Sequence, residues 1–240
     1  MAQVDRQLNF PGLLNVRDLG GCVTCDGAQT SWRAFLRADE LARLTPAGVQ
    51  AVLDYGVRTV IDLRWPAETE MRPSIFQLDA TLLHYVHISL LGVNEDGWRL
   101  LRPKATKEWW NCVALDHAQP QICAVLQTMA QAASGGVLFH CESGKDRTGI
   151  IAALLWAFAG VAPTVIAQDY ALTTDNLYEA YLSANPGAQA ATLERVRCPP
   201  ERVYNMLTHL ADVYGGIISY LRQIGLSERE LRQLCGRLRA

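Results

Sequence analysis

Up to Gly160 the chain alternates short apolar runs with longer amphipathic stretches, and glycine or proline punctuates most junctions. That is the pattern of strands feeding helices. Val137-Leu138-Phe139 follows Ser134-Gly135-Gly136 and predicts a buried strand. The run IIAALLWAFAG after Gly149 predicts a core helix that stops at Gly160. Ser31–Ala38, Arg58–Leu63 and Leu82–Ile88 read as further strands, with Arg33 and Arg37 on one side of the first. Thr45-Pro46 supplies a cap and an N1 proline for a helix ended by Gly56, directly ahead of the second of these strands. Pro120–Ala133 is an amphipathic helix feeding the Val137 strand. Helix-to-strand units of this kind build parallel sheets.

Beyond Gly160 the pattern becomes all-helical. Pro163–Leu172, Asp175–Ala184, Glu201–Leu221 and Ser227–Leu238 are the expected helices, the last with a Ser227/Glu230 capping box. Asn185-Pro186-Gly187 and Cys198-Pro199-Pro200 mark the breaks. Leu91–Leu115 is the least regular stretch: Gly92, Asn94, Asp96 and Gly97 suggest a loop, and Lys104–Leu115 a helix carrying Trp109 and Trp110. A long connection of this sort is often a functional lid. No Ser/Gly linker and no repeat interrupts the sequence, so residues 1–240 read as one domain, with a lid placed within 91–118 or 175–200.

Composition narrows the function classes. Half the residues are hydrophobic, which is globular, and a net charge of −2 supplies no basic field for nucleic acid. The apolar run after Gly149 is too short to span a bilayer. The start, MAQVDRQLNFPG, has no basic-then-apolar signal pattern, so the expected compartment is cytoplasmic. Seven cysteines, at 22, 25, 112, 123, 141, 198 and 235, are odd in number and scattered, which is no disulfide framework. Cys22-Val-Thr-Cys25 is a lone CxxC without a second ligand pair, and no metal or other cofactor is expected. A thiol resolving an oxidised Cys141 is open but not indicated.

The chemistry concentrates in VLFHCESGKDRTG, Val137–Gly149. Between strand and helix stand Cys141 and, six residues on, Arg147. At a helix N-terminus backbone N–H groups converge and the dipole favours an anion, so the loop reads as a phosphate cradle. A thiol beside a helix N-terminus and a cation ionises readily, which makes Cys141 the candidate nucleophile. Arg147 offers a planar fork for two phosphate oxygens. The N–H groups from Glu142 through Ser143, Gly144 and Lys145 to Arg147 supply further donors, and Thr148 can donate to the thiolate or cap the helix.

These residues, HC-x5-R-T-G, resemble the signature of the cysteine-dependent protein tyrosine phosphatase superfamily. The form HCxxGKDRTG resembles its bacterial branch, which accepts phosphotyrosine, sometimes phosphoserine or phosphothreonine, and phosphoinositides. Asn15–Gly21 (NVRDLGG) and Val60–Glu68 (VIDLRWPAE) resemble the same branch, and Asp169–Leu177 (DYALTTDNL) does so more loosely. The resemblance implies a three-layer α/β/α fold around a mostly parallel sheet with a helical C-terminal portion. It implies a phosphomonoesterase acting on phosphorylated protein or phosphoinositide through a cysteinyl-phosphate intermediate. Lys145 is the residue for a second phosphate on an inositol ring. Trp65-Pro66 invites comparison with the Trp-Pro-Asp acid loop of classical tyrosine phosphatases, but residue 67 is alanine. Asp146 is therefore the first candidate for the general acid and Asp62 the second, with Asp96 and Asp116 as alternatives. Arg17 and Asp18 are expected to brace their loop by pairing with each other or with backbone; a place near the phosphate is the sharper reading for Arg17. Three rivals stand beside this reading: an inositol-phosphate phosphatase with little protein activity, a phosphate-binding pseudophosphatase, and sulfur or arsenic chemistry on a similar loop. Lys145-Asp146 and the matching outer segments argue against the last.

Overall fold

A computed structural model describes residues 6–92 and 109–239. Its centre is a five-stranded sheet in the order β1 (Arg17–Asp18), β2 (Phe35–Ala38), β5 (Gly136–His140), β3 (Val57–Asp62), β4 (His84–His87). β2, β5, β3 and β4 run parallel, and β1 alone pairs antiparallel, on β2. All five residues of β5 are buried, as a central parallel strand covered on both faces requires. His84 and His87 lie on the terminal strand β4 and are exposed.

Alternation along the strands divides the core. Phe35, Ile61, Val137 and Phe139 face one cluster, and Leu36, Val60 and Leu138 face the other. The second, smaller cluster is closed by α1 (Pro46–Asp54) and α3 (Ile75–Leu78) through Val52 and Phe76. α2 (Pro66–Met71) lies between these two in sequence. The larger cluster takes α4 (Trp110–His117), α5 (Gln119–Gln131) and α6 (Asp146–Ala159), backed by helices of the C-terminal portion. The result is an α/β/α sandwich, as the strand pattern and the resemblance imply.

Helix ends follow local chemistry. Thr45 Oγ accepts the N–H of Gly48 at 3.2 Å with Pro46 in the first turn of α1. α6 ends at Gly160 in the left-handed conformation, at φ 83°. The C-terminal portion departs from expectation in three places. Pro163–Ala184 is one continuous helix, α7, because nothing at Thr173–Thr174 breaks it. Glu201–Leu221 is instead two helices, α9 (Glu201–Tyr214) and α10 (Ile217–Gln223), parted by Gly215-Gly216, both at positive φ. Gln189–Val196 forms a further helix, α8, between the two expected breaks. α11 (Glu228–Leu238) carries the capping box read from Ser227 and Glu230.

Candidate active site

The site is built where β5 gives way to α6. Cys141 follows the strand and is 2% exposed, and Asp146 opens the helix. The turn between them depends on glycine. Gly144 has φ +64°, and a Cβ there would come within 2.6 Å of the Ala38 carbonyl oxygen. Gly149 is needed for packing, since a Cβ would meet the Tyr170 ring at 2.8 Å. Ser143 Oγ lies 3.0 Å from the Tyr181 hydroxyl of α7, and the Thr148 hydroxyl is buried without a partner among the described residues.

Arg147 stands in the first turn of α6, gripped through both terminal nitrogens by Glu68 of α2, with Nη2 to Oε1 at 2.9 Å. Its guanidinium also stacks 4.6 Å from the centre of the Trp65 ring. Glu68 is fixed in turn by the Trp65 N–H at 2.6 Å, a cap at the start of α2. Burial works to raise the Glu68 carboxyl, and its hydrogen bonds to Arg147 override that and hold it below its ordinary range. Burial opposes the charge on Arg147, while Glu68, Cys141 and Glu142 more than restore it. Glu68 was not legible as a site residue: it lies 79 positions from Arg147, and only its place in Val60–Glu68 hinted at a role.

The two candidate acids differ sharply in setting. Asp62 is fully buried, bonded to Arg64 Nη2 at 2.6 Å and the Tyr85 hydroxyl at 2.9 Å, with His140 Nε2 at 3.3 Å. Burial acts to raise it, but His140 and Arg64 pull it far below the carboxylate range, so it is held ionised. Asp146 is about one-third exposed, and its Oδ1 accepts from Arg202 at 3.0 Å and Tyr170 at 3.1 Å. Its Oδ2 lies 4.0 Å from Lys145 Nζ. Asp116 instead bonds His209 at 2.7 Å and the Tyr214 hydroxyl at 2.6 Å, both on α9. Asp96 lies outside the described residues, as does much of the irregular 91–118 stretch. The tryptophan pair divides: Trp109 is exposed, and Trp110 packs on the larger core.

Lys145 Nζ donates to the Arg195 carbonyl of α8 at 2.8 Å. The end of α7 and α8 thus reach the loop through Tyr181 and Arg195. Beside them opens a cleft of about 230 Å³ lined by Glu142, Arg72, Arg43, Tyr181 and Arg195 among others. Glu142 pairs across it with Arg72 at 3.2 Å.

Two of the outer segments, Asn15–Gly21 and Asp169–Leu177, meet beneath the loop. Asp169 of α7 is wholly buried and binds three guanidiniums: Arg37 at 2.8 Å, Arg6 at 2.9 Å and Arg17 at 3.1 Å. Arg17 is therefore a brace, bonded to the Asp169 carboxylate and backbone carbonyl and to Asn15, and not to its neighbour Asp18. Asp18 accepts the N–H groups of Gly20 and Arg33 and the Tyr55 hydroxyl. Removing one member of such a buried ion cluster typically costs about 3–5 kcal/mol. Cys22 accepts from Arg6 inside the same cluster, while Cys25 is exposed. Among the described residues no group of three or more His, Cys, Asp or Glu could hold a metal ion.

An α/β sandwich that presents a buried cysteine and an arginine on one strand–loop–helix turn has the arrangement of a cysteine enzyme that handles oxyanions. The model of the tyrosine phosphatase family matches residues 8–240, so the chain belongs to that family. It is 36% identical over 223 residues to a tyrosine-protein phosphatase of Nostoc commune, covering 85% of this chain and 74% of the relative. It is 25% identical over 273 residues to the triple specificity protein phosphatase PtpB of Mycobacterium tuberculosis, covering 95% and 97% respectively. The protein is a phosphoric monoester hydrolase. Among the described residues no helix is long and apolar enough to cross a membrane.

Proposed function

We propose that this phosphatase cleaves phosphotyrosine, with phosphoserine or phosphothreonine as further substrates, through a phosphocysteine at Cys141. The observation that carries it is the placement of Cys141 and the Glu68-held Arg147 on one turn at the N-terminus of α6. Cys141 Sγ attacks phosphorus, the bond to the leaving oxygen breaks, and water then hydrolyses the thiophosphate. Arg147 and the loop N–H groups of Glu142, Ser143, Gly144 and Lys145 take the equatorial oxygens, where charge builds in the transition state.

The leaving oxygen needs a proton, and Asp146 is the better placed donor. Its Oδ1 is occupied by Arg202 and Tyr170, so Oδ2, 4.0 Å from Lys145 Nζ, is the oxygen that faces the transfer. Asp62, tied to Arg64 and His140, supports a bracing role instead. A phosphotyrosine peptide turned over by wild type, and untouched by Cys141→Ser, tests the reading. Turnover in the same assay would exclude a pseudophosphatase.

A second substrate class is favoured by Lys145. Its ammonium stands in the loop, beside Asp146, where one arginine already suffices for a single phosphate. We assign it to a second phosphate on a phosphoinositide ring, reached when it leaves the Arg195 carbonyl. The end of α7 and α8 would then act as the lid, within the same single catalytic unit.

A further inference from the structure

In a trans peptide unit the C=O and N–H point in opposite directions, so whatever holds a carbonyl also aims the next residue's N–H. Three successive carbonyls of the loop are held from below. The Glu142 carbonyl accepts from the Glu40 N–H at 3.0 Å. The Ser143 carbonyl accepts from Asn15 Nδ2 at 2.9 Å. The Gly144 carbonyl accepts from Arg37 Nη2 at 2.7 Å, with Asn15 Nδ2 at 3.3 Å. The N–H groups of Ser143, Gly144 and Lys145 therefore face away from the body of the protein. Among the described residues no acceptor takes them.

Both side-chain holders connect to one carboxylate, although Asn15 Oδ1 also accepts from Asn176 Nδ2 at 3.0 Å. Arg37 Nη1 is fixed by Asp169 Oδ2, and Asn15 Oδ1 accepts from Arg17, itself on Asp169. Glycine at 144 makes this bracing necessary, because glycine lets the peptide on either side of it turn over at little steric cost. Arg37 is 1% exposed and has one arm on each side, Nη1 toward Asp169 and Nη2 toward the loop. The cluster carries more guanidiniums than carboxylates. Burial pulls Arg17 down to about 10, Arg37 and Arg6 adding to the effect and Asp169 opposing it. Such a cluster sits most comfortably beneath an anion.

We infer that Arg37 is a positioning residue for phosphate binding, bridging Asp169 to the Gly144 carbonyl so that the Lys145 N–H is aimed at the bound phosphoryl group. This rests on the phosphate-loop reading given above. Lysine at 37 keeps the charge but has one donor head, which cannot span both partners.

The experiment is inhibition by orthovanadate, an analogue of the phosphoryl transition state, on purified wild type, Arg37→Lys and Asn15→Ala. Near-UV circular dichroism and thermal unfolding are recorded on the same samples. Arg37→Lys is expected to weaken vanadate inhibition tenfold or more and to lower kcat more than it raises KM. Its near-UV spectrum should stay that of wild type. Asn15→Ala, which frees the Ser143 carbonyl, is expected to do the same to a smaller degree. If either folded variant binds vanadate within twofold of wild type, the bridge only holds the fold and the inference fails. Should Arg37→Lys not fold, Asn15→Ala decides alone. Wild type insensitive to vanadate would instead overturn the phosphate-loop reading and this inference with it.

Discussion

Glu68 and Arg147, 79 residues apart, form a two-armed ion pair with Nη2 to Oε1 at 2.9 Å. The pair fixes the plane of the guanidinium that the proposed mechanism brings to the phosphate, and it ties α2 to the first turn of α6. Arg147 could otherwise sample several rotamers, and each would present its fork differently. Replacing Glu68 by glutamine keeps the size but removes the charge. Glu68→Gln is expected to lower kcat/KM by ten- to a hundredfold, roughly 1.4–2.7 kcal/mol of transition-state stabilisation. Steady-state kinetics on an aryl phosphate checks this, and unchanged kcat/KM would mean that the loop alone orients Arg147.

Cys141→Ser is expected to abolish turnover while leaving phosphate binding near wild type, because the loop amides and Arg147 remain. Calorimetry with inorganic phosphate, beside a turnover assay, separates the two effects. Residual turnover above about a hundredth of wild type, under 3 kcal/mol lost, would argue against a cysteine nucleophile.

Asp146→Asn is expected to slow alkyl phosphates far more than activated aryl phosphates, whose leaving groups need little protonation. Comparing serine- and nitrophenol-based substrates reads this directly. Equal slowing of both would assign Asp146 to holding Arg202 and Tyr170, its present hydrogen-bond partners.

Asp62 should declare itself in stability and not in leaving-group dependence. Its folded-state pKa is depressed below the ordinary aspartate value of about 3.9. A depressed carboxylate contributes stability above that pH, and the contribution is lost as pH falls toward the folded value. Wild type should therefore lose thermal stability on acidification below about pH 4, and Asp62→Asn should be less stable at neutral pH and flatter in that acid window. Differential scanning calorimetry across the range checks it. A variant as stable as wild type at pH 7 would remove Asp62 from the brace.

Lys145→Ala is expected to depress phosphoinositide turnover by about tenfold or more, roughly 1.4 kcal/mol, with phosphotyrosine peptides much less affected. Parallel assays on a soluble phosphoinositide and a phosphopeptide test it. A uniform loss would restrict Lys145 to the loop and to its contact with the Arg195 carbonyl.

What the sequence determined by itself was local. The apolar runs placed β3, β4 and β5, and the cap at Thr45 and the stop at Gly160 placed α1 and the end of α6, because a few neighbouring residues set each of these. The cysteine, the arginine and the glycine-dependent turn were equally legible, all lying within Cys141–Gly149 of one strand–loop–helix segment. Helix breaks in the C-terminal portion were less so: Gly215-Gly216 parts α9 from α10 through two residues at positive φ, while Thr173–Thr174, of only weakly unfavourable helix propensity, leaves α7 whole.

Only the tertiary structure decided who holds the loop. Glu68 on Arg147, Arg37 and Asn15 on the loop carbonyls, and Asp169 beneath them meet across 79 to 132 residues of chain. A buried charge must find its partner wherever the fold brings one, and nothing in local sequence records that choice. The same holds for the two acids. Asp62 and Asp146 are alike as letters, and only burial beside Arg64 and His140 makes one a fixed anion while the other, about one-third exposed, pairs with Arg202 and Tyr170 and stands near Lys145.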